Sequence, residues 1–166
     1  MMTRPRCNRR GLLRWIGASA SLAVLGACGS GRAEAKSFPV RLTEAQWRKK
    51  LSKQEFYILR QAGTERAYSS PLNDESRPGT FTCAGCGNAL YSSKTKYDSR
   101  TGWPSFWQAI DKNAVATSTD LKIGYPRTEV HCADCGGHLG HIFSDGPRPT
   151  GKRHCINGVA MDFRPA

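Results

Sequence analysis

With 166 residues, the chain is long enough to bury the core of one domain without many disulfides, and too short for a second catalytic domain. Its 25 Lys and Arg residues against 13 Asp and Glu residues give a formal net charge of +12. This charge is compatible with acidic surfaces or nucleic acid as partners but does not choose between them.

Residues 1–27 have the composition of an export signal. They contain five arginines and no acidic residue, and they end in an apolar run at 15–27 that is too short to span a bilayer. The sequence Asn-Arg-Arg-Gly-Leu-Leu-Arg at 8–14 resembles a twin-arginine signal, although a general secretory signal also begins with basic residues. A disordered basic tail is the alternative, but such tails rarely carry a compact apolar run. We therefore expect export to the bacterial cell envelope, specifically the periplasm.

Two processing sites follow the apolar run. Leu-Gly-Ala-Cys at 25–28 resembles a lipobox, in which Cys28 would carry a lipid and become the mature N-terminus. Ala-Glu-Ala at 33–35 is a rival cleavage site. The lipid would make the protein a membrane-anchored lipoprotein and would be its only membrane attachment. Removal of residues 1–27 takes away five of the 25 basic and none of the 13 acidic residues, which leaves a net charge of +7.

The next segment, residues 28–41, lacks periodic apolar positions and is predicted to be a flexible tether. Its role would be reach rather than chemistry. The folded domain is then predicted to occupy residues 42–164.

Two capping boxes open this domain, at 43–46 and at 52–55. They predict two short helices over about 44–51 and 53–62, with Gly63 as the C-terminal stop. The helices are expected to bury five apolar side chains: Trp47, Leu51, Phe56, Ile58 and Leu59.

From Thr80 onward the sequence consists of short aromatic and β-branched runs separated by Gly, Asn, Asp and Pro. This pattern is typical of antiparallel strands, so we predict a mainly β fold. The predicted strands are 80–83, 90–92, 114–119, 127–132, 141–144 and 154–163.

Two matching C-x-x-C-Gly turns lie at 83–87 and 132–136. At this spacing two thiolates on one turn reach the same tetrahedral ion, and the glycine can take a positive φ. We predict that the turns meet and hold one structural zinc ion with no open position for water or substrate. A redox-active C-x-x-C, two disulfides, or iron on the same thiolates are the alternatives. The predicted ligands are Cys83, Cys86, Cys132 and Cys135.

Cys155 is the one cysteine after the N-terminal segment that lies outside these turns. A free thiol is only a few per cent thiolate at neutral pH, so a catalytic cysteine needs positive charge or hydrogen-bond donors nearby. In a strand, Arg153 and Cys155 would point to one face and His154 to the other, so Arg153 is the better candidate to stabilise a thiolate. The alternative is that Cys155 is a small buried apolar residue.

Two other clusters favour a reactive site. His138, His141 and Asp145 follow the second C-x-x-C turn closely, and because four thiolates saturate a zinc ion, the histidines are free for proton transfer or hydrogen bonding. Either histidine alone would more often be structural. The stretch 101–107 is dense in aromatic residues, and Trp103 could pack in the core or present its indole face to a thioether.

These motifs, taken together, resemble the B-type methionine sulfoxide reductases over residues 42–164. The resemblance rests on the two C-x-x-C-Gly turns, Gly-Trp-Pro-Ser-Phe at 102–106, Gly-Gly-His-Leu-Gly-His-Ile-Phe-Ser-Asp-Gly-Pro at 136–147 and Arg-His-Cys-Ile-Asn-Gly at 153–158. It implies two antiparallel sheets, short N-terminal helices and a structural zinc. It also implies reduction of the R epimer of methionine sulfoxide in peptides and proteins, as repair of oxidative damage.

The resemblance assigns roles to individual residues. Cys155 would be the nucleophile that attacks the sulfoxide sulfur, releases methionine and becomes a sulfenic acid. His138 and His141 would polarise or protonate the sulfoxide oxygen, and Trp103 would pack on the ε-methyl group of the substrate. Asp145 and Asn157 would orient this network, and Arg153 would favour the thiolate.

One position departs from the family pattern. Many members carry a resolving cysteine two residues before the tryptophan, where this chain has Thr101, which cannot form a disulfide. We therefore expect a monomeric one-cysteine enzyme whose sulfenic acid is reduced directly by a thioredoxin-like protein or a small thiol.

Two other classes of protein account for part of the sequence. A basic zinc-ribbon module that binds nucleic acid or protein would explain the charge and the four paired cysteines but not the His-Gly-rich segment. Export argues against nucleic acid as a partner. A thiol peroxidase would also use Cys155, but it would not distinguish the two epimers of a sulfoxide.

Overall fold

The structure, a computed structural model, describes residues 37–166. The predicted export signal, the lipobox at Cys28 and most of the predicted tether lie outside the described residues. Within the described part, no helix combines the length and apolar character needed to cross a membrane. The last residues of the predicted tether pack on the domain, because the Val40 amide donates to the Asp134 carbonyl at 2.8 Å and the Phe38 ring contacts His131 edge-on.

Two short helices begin the domain, α1 at Glu44–Lys50 and α2 at Lys53–Gln61. Both predicted capping boxes form, with the side chain and backbone of each pair bonded reciprocally. Each helix ends one residue earlier than predicted. The left-handed residue after α2 is Ala62, with φ of 49°, rather than Gly63. All five side chains predicted for the buried face are buried.

Antiparallel strands form two sheets in the described residues, which confirms the predicted fold class. The strands are β1 Gly79–Cys83, β2 Ala89–Ser92, β3 Lys96–Tyr97, β4 Ser105–Phe106, β5 Val115–Asp120, β6 Arg127–Cys132, β7 His138–Phe143, β8 Arg153–Ile156 and β9 Met161–Pro165. One sheet has the order β2-β1-β9 and the other the order β3-β4-β8-β7-β6-β5. Short 3₁₀ turns lie at Pro71–Asn73, Ser93–Thr95 and Gly158–Ala160.

The core lies where the two sheets face each other and the helices cover them. Phe106 on β4 stacks on Tyr91 of β2 at 4.3 Å between ring centroids and meets Phe81 of β1 edge-on at 5.0 Å. Helix α2 contacts β7 and the 3₁₀ turn at Gly158–Ala160. Aromatic pairs of this kind add to area burial, so they join the sheets firmly.

Two strand predictions were wrong in their bounds. The predicted strand 154–163 is two strands, β8 and β9, which belong to different sheets and are separated by the Gly158–Ala160 turn. The predicted strand 141–144 is β7, which begins three residues earlier, because its histidines and Gly140 are buried despite their polar or small side chains. The two-residue strands β3 and β4 were not predicted, since two residues carry no periodicity.

A bulge in β7 sets which side chains share a face. Val130 pairs with Gly140 while His131 pairs with His138, so Leu139 is an extra residue in β7. In a regular strand His138 and His141 would point to opposite faces, because they are three residues apart. The bulge brings them to one face, where their rings meet edge-on at 5.4 Å between centroids.

One row of register partners crosses the whole six-stranded sheet. Strand pairing places one residue from each strand in this row: Tyr97, Ser105, Cys155, His141, Glu129 and Ser118. Directly opposed residues on one face lie within side-chain reach of each other. Cys155 therefore sits in the middle of a polar row.

Candidate active site and metal centre

The two C-x-x-C-Gly turns meet, as predicted. The four cysteine sulfurs all lie within 4.8 Å of one another, with Sγ–Sγ distances of 3.7 Å for Cys83–Cys135 and 3.5 Å for Cys86–Cys132. A disulfide needs about 2.05 Å, whereas a tetrahedron with metal–sulfur bonds of about 2.3 Å has edges near 3.8 Å. The arrangement therefore fits one metal ion held by four thiolates.

Local hydrogen bonds shape both turns in the same way. Gly87 and Gly136 have φ of 81° and 66°, as predicted, and their amides donate to the carbonyls of Cys83 and Cys132. The Asn88 amide also lies 3.5 Å from the Cys132 sulfur as an outer donor. The turns thus supply a preformed site from local sequence alone.

Cys155, on β8, opens into a cavity of about 130 Å³. It is a free thiol with intermediate exposure, so it is not the fully buried apolar residue of the alternative interpretation. The cavity is lined by Thr64, Trp103, Arg127, Gly140, His141, Phe143, Cys155 and Asn157. Gly140 is required beside the thiol strand, because a Cβ there would collide with the Cys155 carbonyl oxygen.

Two groups near the thiol favour its charged form. The Thr101 hydroxyl lies 3.9 Å from Cys155 Sγ, and Arg153 lies on the same face of β8, as strand alternation predicted. Burial nevertheless raises the pKa of Cys155, and the Thr101 hydrogen bond and Arg153 charge only oppose that shift. The resting cysteine is therefore a protonated thiol at neutral pH.

Arg153 and His154, the two residues that precede Cys155 in β8, each have a fixed partner. Arg153 binds Asp145 through two hydrogen bonds of 2.9 and 2.8 Å and covers the Phe143 ring. His154 points away from the cavity and meets the Tyr91 hydroxyl at 3.1 Å, and burial lowers its pKa to about 4. His154 is therefore a neutral structural residue.

His141 faces the cavity and is paired with a carboxylate. Its Nε2 lies 2.7 Å from Asp120 Oδ2, and Arg127 bonds the same oxygen at 2.6 Å. Hydrogen bonds from the Lys122 backbone, His141 and Arg127 lower the pKa of Asp120 to about 2, so Asp120 accepts and Nε2 carries the proton. Burial lowers the pKa of His141, so at neutral pH its other nitrogen, Nδ1, is unprotonated.

His138 is also paired with a carboxylate, that of Glu129. Its Nδ1 lies 2.7 Å from Glu129 Oε1, and Ser118 donates to the same carboxylate. Hydrogen bonds from His131 and His138 hold the pKa of Glu129 far below its usual range. His138 is 4% exposed and does not line the cavity, so it touches His141 rather than the open space.

The residues predicted to orient the histidines have other partners. Asp145 binds Arg153, and Asn157 donates to the Leu139 carbonyl and accepts from the Glu65 amide. Sequence reasoning missed the actual partners, Asp120 and Glu129. The one available signal was that Arg127 and Glu129 alternate on one face of a predicted strand, where a purely structural strand would bury apolar residues.

Trp103 forms one wall of the cavity and is held by a buried residue that sequence reasoning also missed. Its Nε1 donates to the Glu65 carbonyl at 3.2 Å. The Glu65 carboxylate, 5% exposed, accepts from the Gly158 and Val159 amides at 2.6 and 3.0 Å. Glu65 thus joins the tryptophan wall to the turn that follows Cys155.

A thiol at a small, partly apolar cavity beside a histidine–carboxylate pair is the arrangement that a cysteine-dependent enzyme requires, and here it lies on a β domain with a separate four-cysteine cluster. Residues 51–165 match the model of the SelR domain family. The chain is 46% identical to "Peptide methionine sulfoxide reductase MsrB" of Leifsonia xyli over 129 residues, which cover 77% of this chain and 93% of that protein. It is 50% identical to the protein of the same name from Thiobacillus denitrificans over 123 residues, or 74% and 93% of the two chains.

A plant relative matches over the same domain. The chain is 50% identical to "Peptide methionine sulfoxide reductase B1, chloroplastic" of Arabidopsis thaliana over 121 residues, which cover 72% of this chain and 59% of that protein. The chain therefore belongs to the SelR domain family of MsrB proteins, which confirms the family predicted from the motifs.

Proposed function

We propose that this protein reduces methionine (R)-sulfoxide residues in peptides and proteins to methionine, with Cys155 as the nucleophile, and that it repairs oxidative damage. The main observation in support is that the Cys155 thiol, Trp103 and His141 line one small cavity. Membership of a family whose members are named methionine sulfoxide reductases supports the reaction. The R preference rests on the motif resemblance.

The cavity suits one flexible side chain better than a larger ligand. Its volume of about 130 Å³ is well below the roughly 300–1,000 Å³ of ordinary small-molecule sites. Trp103 and Phe143 offer aromatic surface to the methyl and thioether groups. His141 and Arg127 offer polar atoms to the sulfoxide oxygen. Asymmetric walls of this kind would distinguish the two epimers.

The proposed first step moves one oxygen atom and two electrons. The Cys155 sulfur takes the oxygen of the sulfoxide, so a thiol and a sulfoxide become a sulfenic acid and a thioether. Because burial keeps Cys155 protonated, the thiol proton must leave before attack. The unprotonated nitrogen of His141 would accept it and pass it to the departing oxygen. Protons are conserved across this step.

We propose an external reductant for the second step. Among the described residues, every cysteine other than Cys155 belongs to the four-cysteine cluster. Thr101, which contacts Cys155, stands at the position where many family members have a resolving cysteine. One thiol would attack the sulfenic acid to give a mixed disulfide and water, and a second thiol would release Cys155. A thioredoxin-like protein or a small thiol would serve, with the enzyme acting as a monomer.

The four-cysteine cluster would hold zinc in a structural role. Four thiolates at tetrahedral spacing suit Zn²⁺ and leave no position for a reacting group, so the ion would supply stability. Export to the periplasm is proposed from the sequence of residues 1–27, and a lipid on Cys28 from the lipobox at 25–28.

The test is turnover of separately prepared R and S epimers of an N-acetylated peptide methionine sulfoxide with dithiothreitol. The protein without residues 1–27 is compared with its Cys155→Ser variant. R-selective activity that disappears in the variant supports the proposal. Activity toward hydrogen peroxide without sulfoxide reduction would favour a thiol peroxidase, and no activity in folded, metal-loaded protein would favour a binding module. A disulfide from Cys155 to another cysteine of the chain would refute the one-cysteine step.

A further inference from the structure

Exposed large apolar side chains in residues 37–166 concentrate near the cavity. There are six of them: Tyr57, Tyr68, Ile110, Leu121, Ile123 and Tyr125. Three of the six lie on the hairpin tip between β5 and β6, residues 121–126, and Leu121, Ile123 and Tyr125 are 65%, 51% and 57% exposed there. Scattered apolar residues need no explanation, but a group of them marks an interaction surface.

The hairpin tip is attached to the cavity wall on both sides. Asp120 and Arg127, which bracket the tip, form an ion pair at 2.6 Å, and Arg127 lines the cavity. On the other side, Lys122 Nζ donates to the carbonyls of Gln61 and Ala62 at 3.3 Å, close in sequence to Thr64 of the cavity wall. The one charged side chain at 121–125 is thus turned toward α2, which leaves an apolar outer surface.

A fourth exposed large apolar side chain, Tyr68, lies beside Trp103. Tyr68, 71% exposed, packs its ring against Gly102, and its amide donates to the Gly102 carbonyl at 2.7 Å. Its hydroxyl donates to the Arg100 carbonyl at 2.8 Å, which fixes the ring beside the residue that precedes Trp103. Tyr68 lines a neighbouring pocket that shares Trp103 with the cavity, so exposed apolar side chains lie next to two residues of the cavity wall, Arg127 and Trp103.

We propose that an apolar rim, formed by Tyr68, Leu121, Ile123 and Tyr125, binds the apolar residues that flank methionine sulfoxide in an extended, unfolded polypeptide. This inference rests on the proposed function. A cavity of about 130 Å³ takes one side chain, so the neighbours of that side chain in a peptide must lie outside it, where the rim is. Methionine is normally buried, so unfolding by oxidation exposes chain segments that come from a protein core and are rich in apolar residues.

The test compares three substrates with dithiothreitol as reductant: N-acetyl methionine sulfoxide, a pentapeptide with Ile and Leu on either side of the sulfoxide, and the same peptide with Ser at both positions. The wild type should show a lower KM for the apolar peptide. In the variant Leu121→Ser/Ile123→Ser/Tyr125→Ser, KM for that peptide should rise roughly tenfold, with kcat and the values for N-acetyl methionine sulfoxide within about twofold.

Two variants make this comparison specific. Ile110→Ser removes an exposed apolar side chain, 41% exposed, that lines a different cavity, and it should change nothing. The single change Ile123→Ser should raise KM for the apolar peptide about threefold, which keeps the test decisive if the triple variant does not fold.

Three results would overturn the inference. One is an equal loss on all substrates, which would mean that the tip only supports the Asp120–His141 pair. Another is an unchanged peptide KM together with a raised KM for a thioredoxin-like reductant, which would make the rim a reductant site. The third is a wild type that reduces N-acetyl methionine sulfoxide without preferring the apolar peptide. Inactivity of the wild type on every substrate would refute the proposed function itself.

Discussion

The four clustered cysteines and Cys155 differ in what surrounds each sulfur atom. Each clustered sulfur has three others within 4.8 Å, supplied by two turns whose shape comes from a glycine that follows the two cysteines by four residues and by one. Around Cys155 the neighbours are a hydroxyl, a guanidinium and an imidazole from separate parts of the chain. Four like groups placed together can share one metal ion, whereas the isolated thiol among unlike groups is the one that we propose to react.

Removal of the isolated thiol tests this contrast most strongly. Cys155→Ser should lower sulfoxide reduction by about 1,000-fold or more, because the hydroxyl is a poor nucleophile at neutral pH. The metal content and the free energy of unfolding should stay close to those of the wild type, measured by elemental analysis and urea denaturation. Loss of the metal in this variant would contradict the separation of the two centres.

Removal of one clustered cysteine should have the opposite profile. Cys132→Ser leaves three thiolates, so the protein should lose its metal and on the order of 4 kcal/mol of stability or more. Thermal unfolding with and without a chelator would measure this effect. A variant that kept both its metal and its melting temperature would show that the four sulfurs do not share one ion.

The histidine–carboxylate pair can be tested without removing either ring. Asp120→Asn removes a negative charge that raises the pKa of His141. His141 becomes a weaker base, so kcat should fall about 10- to 100-fold. Because that carboxylate raises the pKa of His141, the acid limb of the kcat profile should move to lower pH. The exposed Asp162→Asn is the matched control. An unchanged pH profile would separate His141 from proton transfer.

The smallest expected effect concerns the charge beside the thiol. Arg153 lowers the pKa of Cys155 against the larger effect of burial, so Arg153→Met should raise that pKa further. The limb on which kcat/KM increases with pH should move to higher pH. Relative to the wild type, kcat/KM should be about tenfold lower at pH 7, and the difference should become smaller at alkaline pH. Arg148→Met, at an exposed position, should leave the profile unchanged. A loss that is equal at every pH would indicate a structural role for Arg153.

The two centres also differ in how far they could be predicted from sequence. The meeting of the four cysteines was predicted, since these cysteines and their glycines lie within two short segments. Cys155, Trp103 and His141 were also predicted, and the structure brings them to one cavity. The carboxylates that bond the histidines were missed, because Asp120 and Glu129 reach them only through strand pairing.

Local irregularity explains the remaining errors. Strand alternation alone places His138 and His141 on opposite faces, and nothing in the residue types of β7 announces the bulge that reverses this. The joint role of Glu65, which contacts Trp103 through its carbonyl and the turn after Cys155 through its carboxylate, depends on backbone groups that carry no sequence signal.

The extra residue in β7 makes the length of this strand more important than its composition. Exchanging Leu139 for another apolar residue keeps the register, and deleting Leu139 would remove the bulge and leave both histidines on one face, two residues apart. Inserting one residue beside Leu139, in contrast, would turn His138 to the opposite side of the sheet. The same insertion would separate Glu129 from its imidazole partner while the cysteine turns stayed intact. This part of β7 should therefore tolerate changes in side-chain size, and the loss of Leu139, far better than an added residue.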